Sequence, residues 1–191
     1  MTVGVLVLAA GRASRFGSDK RLASLPDGGR VLDTVLDQIA SSGLPLLLCL
    51  NEGDKALARD LERRNIRAHC CSRAGEGMGS TIAEGLAQIS QWDGVLITLA
   101  DMPWIKASTY KIITAQLEPG SICVPSYSNK RGHPVGFGKE FFTELAALSG
   151  DNGASGLLEK YNSRIRELPV DDSAIHRDID TPSDLFPNVG A

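Results

Sequence analysis

The chain has 191 residues, of which 42% are hydrophobic and 23% are charged, and its formal net charge is −3. This length suits a single domain, here taken as residues 1–191, that can bury a full core. The acidic balance disfavours a nucleic-acid binder, which usually has a strongly basic face. No apolar run approaches the roughly 20 residues that cross a bilayer, and the N-terminus lacks the charged start of a signal peptide. We therefore expect a cytoplasmic protein without a nucleic-acid or membrane partner.

Aliphatic runs alternate with helical patterns through the first two thirds of the chain. Residues 3–10 form an unbroken aliphatic run, as in a strand that is covered on both faces of a parallel sheet. The pattern predicts further strands at 46–50, 66–71, 95–100 and 122–125, and helices at 31–39, 56–64, 79–89 and 107–117. Strands and helices that alternate at this rhythm indicate an α/β fold with a doubly wound, mostly parallel sheet.

The pattern changes after residue 127. Residues 128–133 are typical of a polar turn, 141–148 and 153–161 of short helices, and 165–170 of a late strand. Neither an internal repeat nor a low-complexity linker separates this part from the rest. We therefore predict that the last third of the chain is a small elaboration packed on the sheet.

Four cysteines occur, at positions 49, 70, 71 and 123. Their spacing matches no zinc pattern, in which paired ligands stand two to four residues apart in two sets. Cys49 and Cys123 lie in apolar runs, which is typical of small buried residues. We expect reduced thiols, and the absence of a C-x-x-C spacing argues against a redox role for Cys70 and Cys71.

The loop after the first strand carries the strongest functional signal. Leu8-Ala9-Ala10-Gly11 leads into a segment that contains Arg12, Arg15, Gly17 and Lys20. Glycines let backbone N–H groups approach an anion, and three nearby cations suit a triphosphate. The loop has neither the Gly-Lys-Ser/Thr end of a P-loop nor the Gly-x-Gly-x-x-Gly of a dinucleotide site. It predicts a nucleotide-binding loop, with a solvated basic turn as the alternative.

Asp101 follows directly on the predicted strand 95–100. Ligand sites in open α/β sheets lie beyond the carboxyl ends of the strands, so this carboxylate is placed where a substrate should bind. It could hold Mg²⁺ against a triphosphate, because this hard ion prefers oxygen ligands and bridging phosphates. The alternative is an N-cap for the following helix. Asp184, after Pro182, suits a turn or a helix cap.

These motifs resemble those of the MobA-like nucleotidyltransferases. The LAAG spelling of the loop is more similar to the molybdenum cofactor cytidylyltransferases than to the guanylyltransferases, which more often have LAGG. Ala100-Asp101-Met102-Pro103 resembles the metal-binding motif of the family, and Asp178-Ile179-Asp180-Thr181-Pro182 resembles its closing motif. The resemblance implies that Lys20 contacts phosphates and that a second metal ligand lies in the closing motif. Asp180 is the first candidate for this ligand and Asp178 the next. Alternation along an extended segment would turn both carboxylates to one side.

Three further segments resemble parts of the same family. Gly77-Met78-Gly79-Ser80-Thr81 is similar to a segment that is implied to contact the base and ribose, although an ordinary capped helix explains it equally well. Arg131-Gly132-His133-Pro134-Val135 resembles the family's GHPV turn. Gly150-Asp151-Asn152-Gly153-Ala154 resembles the start of its GDxGAR element, with Ser155 where Arg often stands. Gly132, His133 and Asp151 are therefore candidate acceptor-binding residues.

The resemblance implies a Rossmann-like, GT-A-like nucleotidyltransferase. The expected reaction transfers a nucleoside monophosphate from an NTP to the phosphate of a molybdopterin-type acceptor and releases pyrophosphate. CTP is the expected NTP. Arg15, Lys20 and Asp101 are the expected catalytic residues, Mg²⁺ the cofactor, and a molybdoenzyme or its chaperone a candidate partner. The alternatives are GTP as donor, a sugar phosphate as acceptor, or a non-catalytic nucleotide-binding protein that delivers a cofactor.

Overall fold

The computed structural model describes residues 1–11 and 16–186, which form one mixed sheet with helices on both faces. In chain order the strands are β1 (Val3–Leu8), β2 (Leu46–Asn51), β3 (Ala68–Cys71), β4 (Gly94–Leu99), β5 (Ile122–Tyr127), β6 (Lys130–Arg131), β7 (Val135–Gly138) and β8 (Ile165–Pro169). The helices are α1 (Val31–Ser42), α2 (Lys55–Arg63), α3 (Met78–Ala87), α4 (Ala107–Gln116), α5 (Phe142–Ala146) and α6 (Ser155–Lys160).

Strand β1 lies in the middle of a parallel half-sheet. It pairs in parallel with β2 on one side and with β4 on the other, and β3 extends the sheet beyond β2. The chain thus moves outward from β1 to β3 and then returns to β4 on the opposite side of β1. Strand order reverses at this point, and the crevice beyond the carboxyl ends of β1 and β4 is the usual ligand position in such sheets.

Each face of the sheet is covered by a separate apolar core. Residues of α1, α2 and α4 pack on one face, and residues of α3, α5 and α6 pack on the other. Every residue of β1 is buried, which explains its continuous aliphatic sequence. The prediction of a doubly wound, mostly parallel α/β sheet is confirmed. None of the helices described has the length and apolar character that crossing a membrane requires.

The last third of the chain belongs to the sheet itself and does not merely pack on it. Strand β7 lies antiparallel between β4 and β5, and β8 pairs in parallel with the other edge of β5. Strand β6 lies inside the segment for which the sequence predicts only a turn. Strand β7 has only four residues, and its Gly136 is needed because an added Cβ would lie 2.9 Å from Ile113 of α4. A short strand with two glycines gives little periodic signal.

The buried carboxylate of Asp172 fastens the C-terminal segment to the start of α4. Its Oδ2 accepts hydrogen bonds from Lys106 N at 2.9 Å and Thr109 Oγ1 at 2.6 Å, and its Oδ1 accepts from Ala174 N at 3.2 Å. Asp172 is only 2% exposed. It therefore caps α4 from 63 residues away and holds the chain that leads to Asp178 beside the sheet.

Replacement of Asp172 by alanine should lower the free energy of unfolding by about 2–4 kcal/mol, because it removes a buried charged acceptor and leaves its donors unpaired. Urea denaturation followed by circular dichroism measures this change. Asp171→Ala is the matched control, since Asp171 is exposed and accepts a hydrogen bond from Lys106 only through its backbone carbonyl. Equal stabilities of the two variants would contradict the capping role.

Candidate functional site

Lys20 joins two carboxylate-bearing segments at the switch point between β1 and β4. Its Nζ donates to Asp101 Oδ2 at 2.6 Å and to the Ile179 carbonyl at 2.8 Å, and lies 3.6 Å from Asp180 Oδ1. The Lys20 and Asp101 side chains are only 18% and 19% exposed, so their attraction is less screened than on the open surface. The structure therefore brings together three of the residues that the sequence proposes for phosphate and metal binding.

Asp101 offers one carboxylate oxygen to the crevice. Its Oδ2 accepts from Lys20, whereas Oδ1 is buried and has no hydrogen-bond partner within residues 1–11 and 16–186. The backbone oxygen of Asp101 accepts from Ile179 N at 2.9 Å, which ties the C-terminal segment to the end of β4. Buried carboxylate oxygens are normally satisfied, so this atom is suited to a ligand such as a hard cation.

The segment with Asp178 and Asp180 is positioned by the residue between them. Ile179 is fully buried in a small core with Phe16 and Leu185, so the two flanking carboxylates turn away from that core. Asp178 is exposed, and the Asp180 side chain is 46% exposed. Asp184 caps the final turn, as expected, and accepts from Thr181 N at 2.7 Å.

Arg21 is a structural residue of the site that the sequence did not reveal. Its guanidinium donates to the Ala9 carbonyl at 2.8 Å and pairs with Asp19 and Asp54. Burial opposes the charge, but the hydrogen bonds that the guanidinium donates to the two carboxylates raise the pKa of Arg21 above its ordinary value. Arg21 thus holds the turn that carries Lys20 against the end of β1. The partner Asp54 stands 33 residues away, which hides the contact from a single sequence.

A cleft of about 380 Å³ opens beside Asp101, between the end of β1 and the start of α3. The residues proposed from the sequence that line it are Leu8, Ala10, Gly11, Gly77, Met78, Thr81, Asp101 and Asp151. Asn51, at the end of β2, also lines it and was missed, because a lone asparagine after a strand carries no signal. A recess of about 100 Å³ with Ala9 and Lys20 in its wall adjoins the cleft.

The loop before α3 meets a second loop that the sequence also singled out. Gly77 has a φ of 124°, and a Cβ added there would overlap the backbone of Gly150. Gly79 N donates to the Gly150 carbonyl at 2.8 Å. This contact explains why Asp151, expected on the acceptor side, lies in the first cleft. Ser80 is fully buried and donates to Glu76 Oε2 at 2.9 Å, within the loop itself.

A second cavity of about 300 Å³ lies on the other side of Met78. Its lining is largely apolar, with Ile97 and Phe137 among the contributing side chains. Gly132 and His133 reach this cavity, as the acceptor hypothesis requires, and Ser155 is there as well. Leu8, Met78 and Leu99 line both spaces. The two cavities are therefore neighbours at one edge of the sheet.

The surroundings of His133 disfavour a charged imidazole. Burial lowers the pKa of its imidazole below the ordinary value of 6.5, and this outweighs the hydrogen bond to Ile97 and the negative charges of Asp101 and Asp178. Its Nδ1 is buried and lacks a hydrogen-bond partner in the part of the chain that the structure describes. A neutral ring nitrogen without a proton is a hydrogen-bond acceptor.

Three other predicted residues belong to the loop after β1. Arg12 and Arg15 lie outside the described residues. Gly17 has a φ of 79°, a left-handed conformation that favours glycine. The sequence-based roles of these residues therefore stay predictions.

The chain is similar to known proteins over nearly its whole length. Among curated proteins, the chain is 28% identical to the purine catabolism protein PucB of Bacillus subtilis (strain 168), over 95% of this chain and 93% of that protein. It is 26% identical to the nicotine blue oxidoreductase of Paenarthrobacter nicotinovorans, over 96% and 94% of the two chains.

Solved structures show the same architecture. Rv0371c from Mycobacterium tuberculosis H37Rv superposes with a TM-score of 0.83 at 30% identity, over 96% of this chain and 94% of that one. A complex of Rv0371c with manganese superposes with a TM-score of 0.78 at 28% identity, over 96% of both chains. The model of the MobA-like NTP transferase domain matches residues 5–165, which include most of β1 together with Lys20 and Asp101 and end before Asp178. The chain therefore belongs to the MobA-like NTP transferase family and is a nucleotidyltransferase of that family.

Proposed function

We propose that this protein transfers a nucleoside monophosphate from CTP to the phosphate of a molybdopterin-type acceptor and releases pyrophosphate. The observation that carries the proposal is the convergence of Lys20, Asp101 and Asp180 at the switch point. A triphosphate needs its charge compensated as it binds, and this group combines a cation with carboxylates that can hold a metal. The proposal treats residues 1–191 as one nucleotidyltransferase domain.

Mg²⁺ fits the donors at this site. The carboxylate oxygens of Asp101, Asp180 and Asp178 are hard ligands, and Asp101 Oδ1 is buried without a partner among the described atoms. Asp101 and Asp180 would hold the ion, with Asp178 beside them. A bound divalent cation would neutralise charge on the phosphoryl oxygens. The manganese complex of Rv0371c supports a divalent cation in a protein of this type.

The residues of the chain act by positioning and charge. The acceptor phosphate oxygen attacks the α-phosphorus, the bond to the bridging oxygen breaks, and pyrophosphate leaves with that oxygen. Lys20 presents its ammonium to the triphosphate, Arg15 and Arg12 add charge from the loop, and the backbone of Gly11 leaves room for phosphate oxygens. Such a reaction depends on alignment and electrostatic stabilisation and needs no protein nucleophile.

The two cavities suit the two substrates. We place the nucleotide in the cleft beside Asp101, and the acceptor in the apolar cavity beyond Met78. Apolar walls with a few polar groups suit a flat heterocycle, to which the neutral His133 could offer Nδ1 as an acceptor. Ser155 replaces the arginine of the family element, and Arg131 is a cation that also reaches this cavity.

Asp101→Ala should reduce pyrophosphate release from the NTP and acceptor by roughly 10²–10³-fold or more, because it removes the central metal ligand and the partner of Lys20. Asp60→Asn, on the exposed face of α2, is the control and should retain full activity. Circular dichroism of both variants checks that the fold is retained. Near-normal turnover by a folded Asp101→Ala protein would contradict the assignment.

Nucleotide choice is tested by a panel of CTP, GTP, ATP and UTP, each with Mg²⁺ and the molybdopterin-type acceptor. Because the loop has the sequence LAAG, we expect kcat/KM for CTP to exceed that for each of the other nucleotides by at least about 10-fold. This is a modest value for discrimination within a binding pocket. Preference for GTP would identify a guanylyltransferase, and turnover with a sugar phosphate alone would identify that acceptor. Tight binding without pyrophosphate release would favour a non-catalytic carrier.

The proposed role of His133 requires a neutral imidazole, which predicts a pH dependence of stability. Because burial lowers the pKa of folded His133 below 6.5, the unfolded chain binds more protons once the pH falls through this value. The free energy of unfolding should therefore drop as the pH is lowered from about 7 to 5, the range in which histidine titrates. His133→Asn should flatten this drop. Denaturant titrations at several pH values measure the free energy of unfolding. The same pH dependence in His133→Asn and in the native chain would show that His133 is solvated.

A further inference from the structure

Outside the two cavities, a histidine, a thiol and a carboxylate meet beneath α3. The nearest ligand atoms of His69, Cys71 and Glu84 all lie within 4.8 Å of one another. His69 Nε2 is 3.8 Å from Glu84 Oε2. Cys71 is fully buried, whereas the side chains of His69 and Glu84 are 31% and 16% exposed. The cluster is therefore mostly enclosed, yet open to small solutes on the histidine side.

The topology explains how these residues meet. In the parallel pairing of β2 with β3, Cys49 lies opposite His69 and Asn51 lies opposite Cys71. Residues two apart in a strand share a face, so His69 and Cys71 both turn toward α3. Helix α3 approaches this face closely at Gly85, where an added Cβ would lie 2.5 Å from Cys49 Sγ. That approach places the neighbouring Glu84 over the two strands.

We infer that His69, Cys71 and Glu84 form a binding site for a thiophilic divalent cation such as Zn²⁺, separate from the catalytic ion. Zinc takes imidazole nitrogen, thiolate sulfur and carboxylate oxygen in a tetrahedral arrangement, which spaces its ligand atoms about 3.3–3.8 Å apart. The cluster needs to contract by only about 1 Å to reach that spacing, which side-chain rotation can supply. Binding releases the thiol proton of Cys71 to solvent as the sulfur–metal bond forms.

The surrounding hydrogen bonds orient the proposed ligands. Glu84 Oε1 accepts from Ser72 Oγ at 3.0 Å and Arg73 N at 2.7 Å, and Oε2 accepts from Ser72 N at 2.8 Å. A lone pair on Oε2 remains on the His69 side. Such outer partners orient metal ligands and tune them.

The cluster also borders the nucleotide cleft. Glu84 holds the backbone of Ser72 and Arg73, and the chain continues from there to Gly75 and Gly77, which line the cleft. A cation on Glu84 would fasten this loop to β3 and α3. The proposed catalytic metal site, with Asp101, Asp178 and Asp180, offers only hard oxygen donors, whereas this cluster contains a thiol and an imidazole. The two sites should therefore select different ions.

The experiment is a titration of the metal-free full chain with Co²⁺, a spectroscopic substitute for zinc. We expect one equivalent of Co²⁺ to produce a thiolate-to-cobalt charge-transfer band in the near ultraviolet, and Zn²⁺ to displace it. Cys71→Ser should abolish the band, and His69→Gln should weaken Co²⁺ binding by more than about 100-fold, beyond the loss typical of an outer-shell partner. His69→Gln alters a partly exposed side chain, so it tests the site even if Cys71→Ser does not fold.

Cys70→Ser is the matched control. Cys70 is adjacent in sequence but lies on the opposite face of β3, so this variant should keep the band. Asp101→Ala should also keep it, which separates this site from the catalytic one and makes the test independent of enzymatic activity. Absence of the band in the native chain would overturn the proposal, as would Co²⁺ binding of undiminished affinity in His69→Gln or loss of the band in Cys70→Ser.

Discussion

The ion pair between Lys20 and Asp101 is the contact around which the site is organised. It joins the turn after β1 to the end of β4, and the Ile179 carbonyl accepts from the same ammonium. Two further polar contacts, made by the partly buried Arg21 and the buried Asp172, support this pair. Arg21 fixes the turn that carries Lys20, and Asp172 holds the C-terminal segment on α4. The lysine therefore reaches the crevice with little freedom, which suits a reaction that depends on positioning.

The sheet places two adjacent cavities at one edge, and this arrangement suits a transfer between two substrates. Leu8 and Met78 line both cavities, so groups bound on either side would approach each other near Asp101. The first cavity is lined by the glycine-rich loops and by two carboxylates, Asp101 and Asp151, and the second has mostly apolar walls. This difference in lining is the reason why we propose the first cavity for the phosphate-rich substrate and the second for a flat heterocyclic one.

Family membership supports the class of reaction more strongly than the choice of substrates. Lys20 and Asp101 lie within residues 5–165, the part of the chain that matches the MobA-like NTP transferase domain. The acceptor side has its own features here, with Ser155 at the usual arginine position and Arg131 paired with Glu167 at 2.8 Å. The proposed soft-metal cluster is connected to the nucleotide cleft through the loop that Glu84 holds, and its donors differ in chemical hardness from the carboxylates near Lys20.

The sequence by itself determined the elements whose signal is local. Hydrophobic periodicity located β1, β4 and α1 to within a few residues, because burial on one or both faces dictates the pattern of apolar residues. It also placed Asp101 at the end of a strand and Asp184 in a cap. Only the tertiary structure decided which distant residues meet. It inserted the glycine-containing β7 into the sheet, paired Arg21 with Asp54, and gathered His69, Cys71 and Glu84 from two elements. Those contacts depend on strand order and helix approach, which no local pattern encodes.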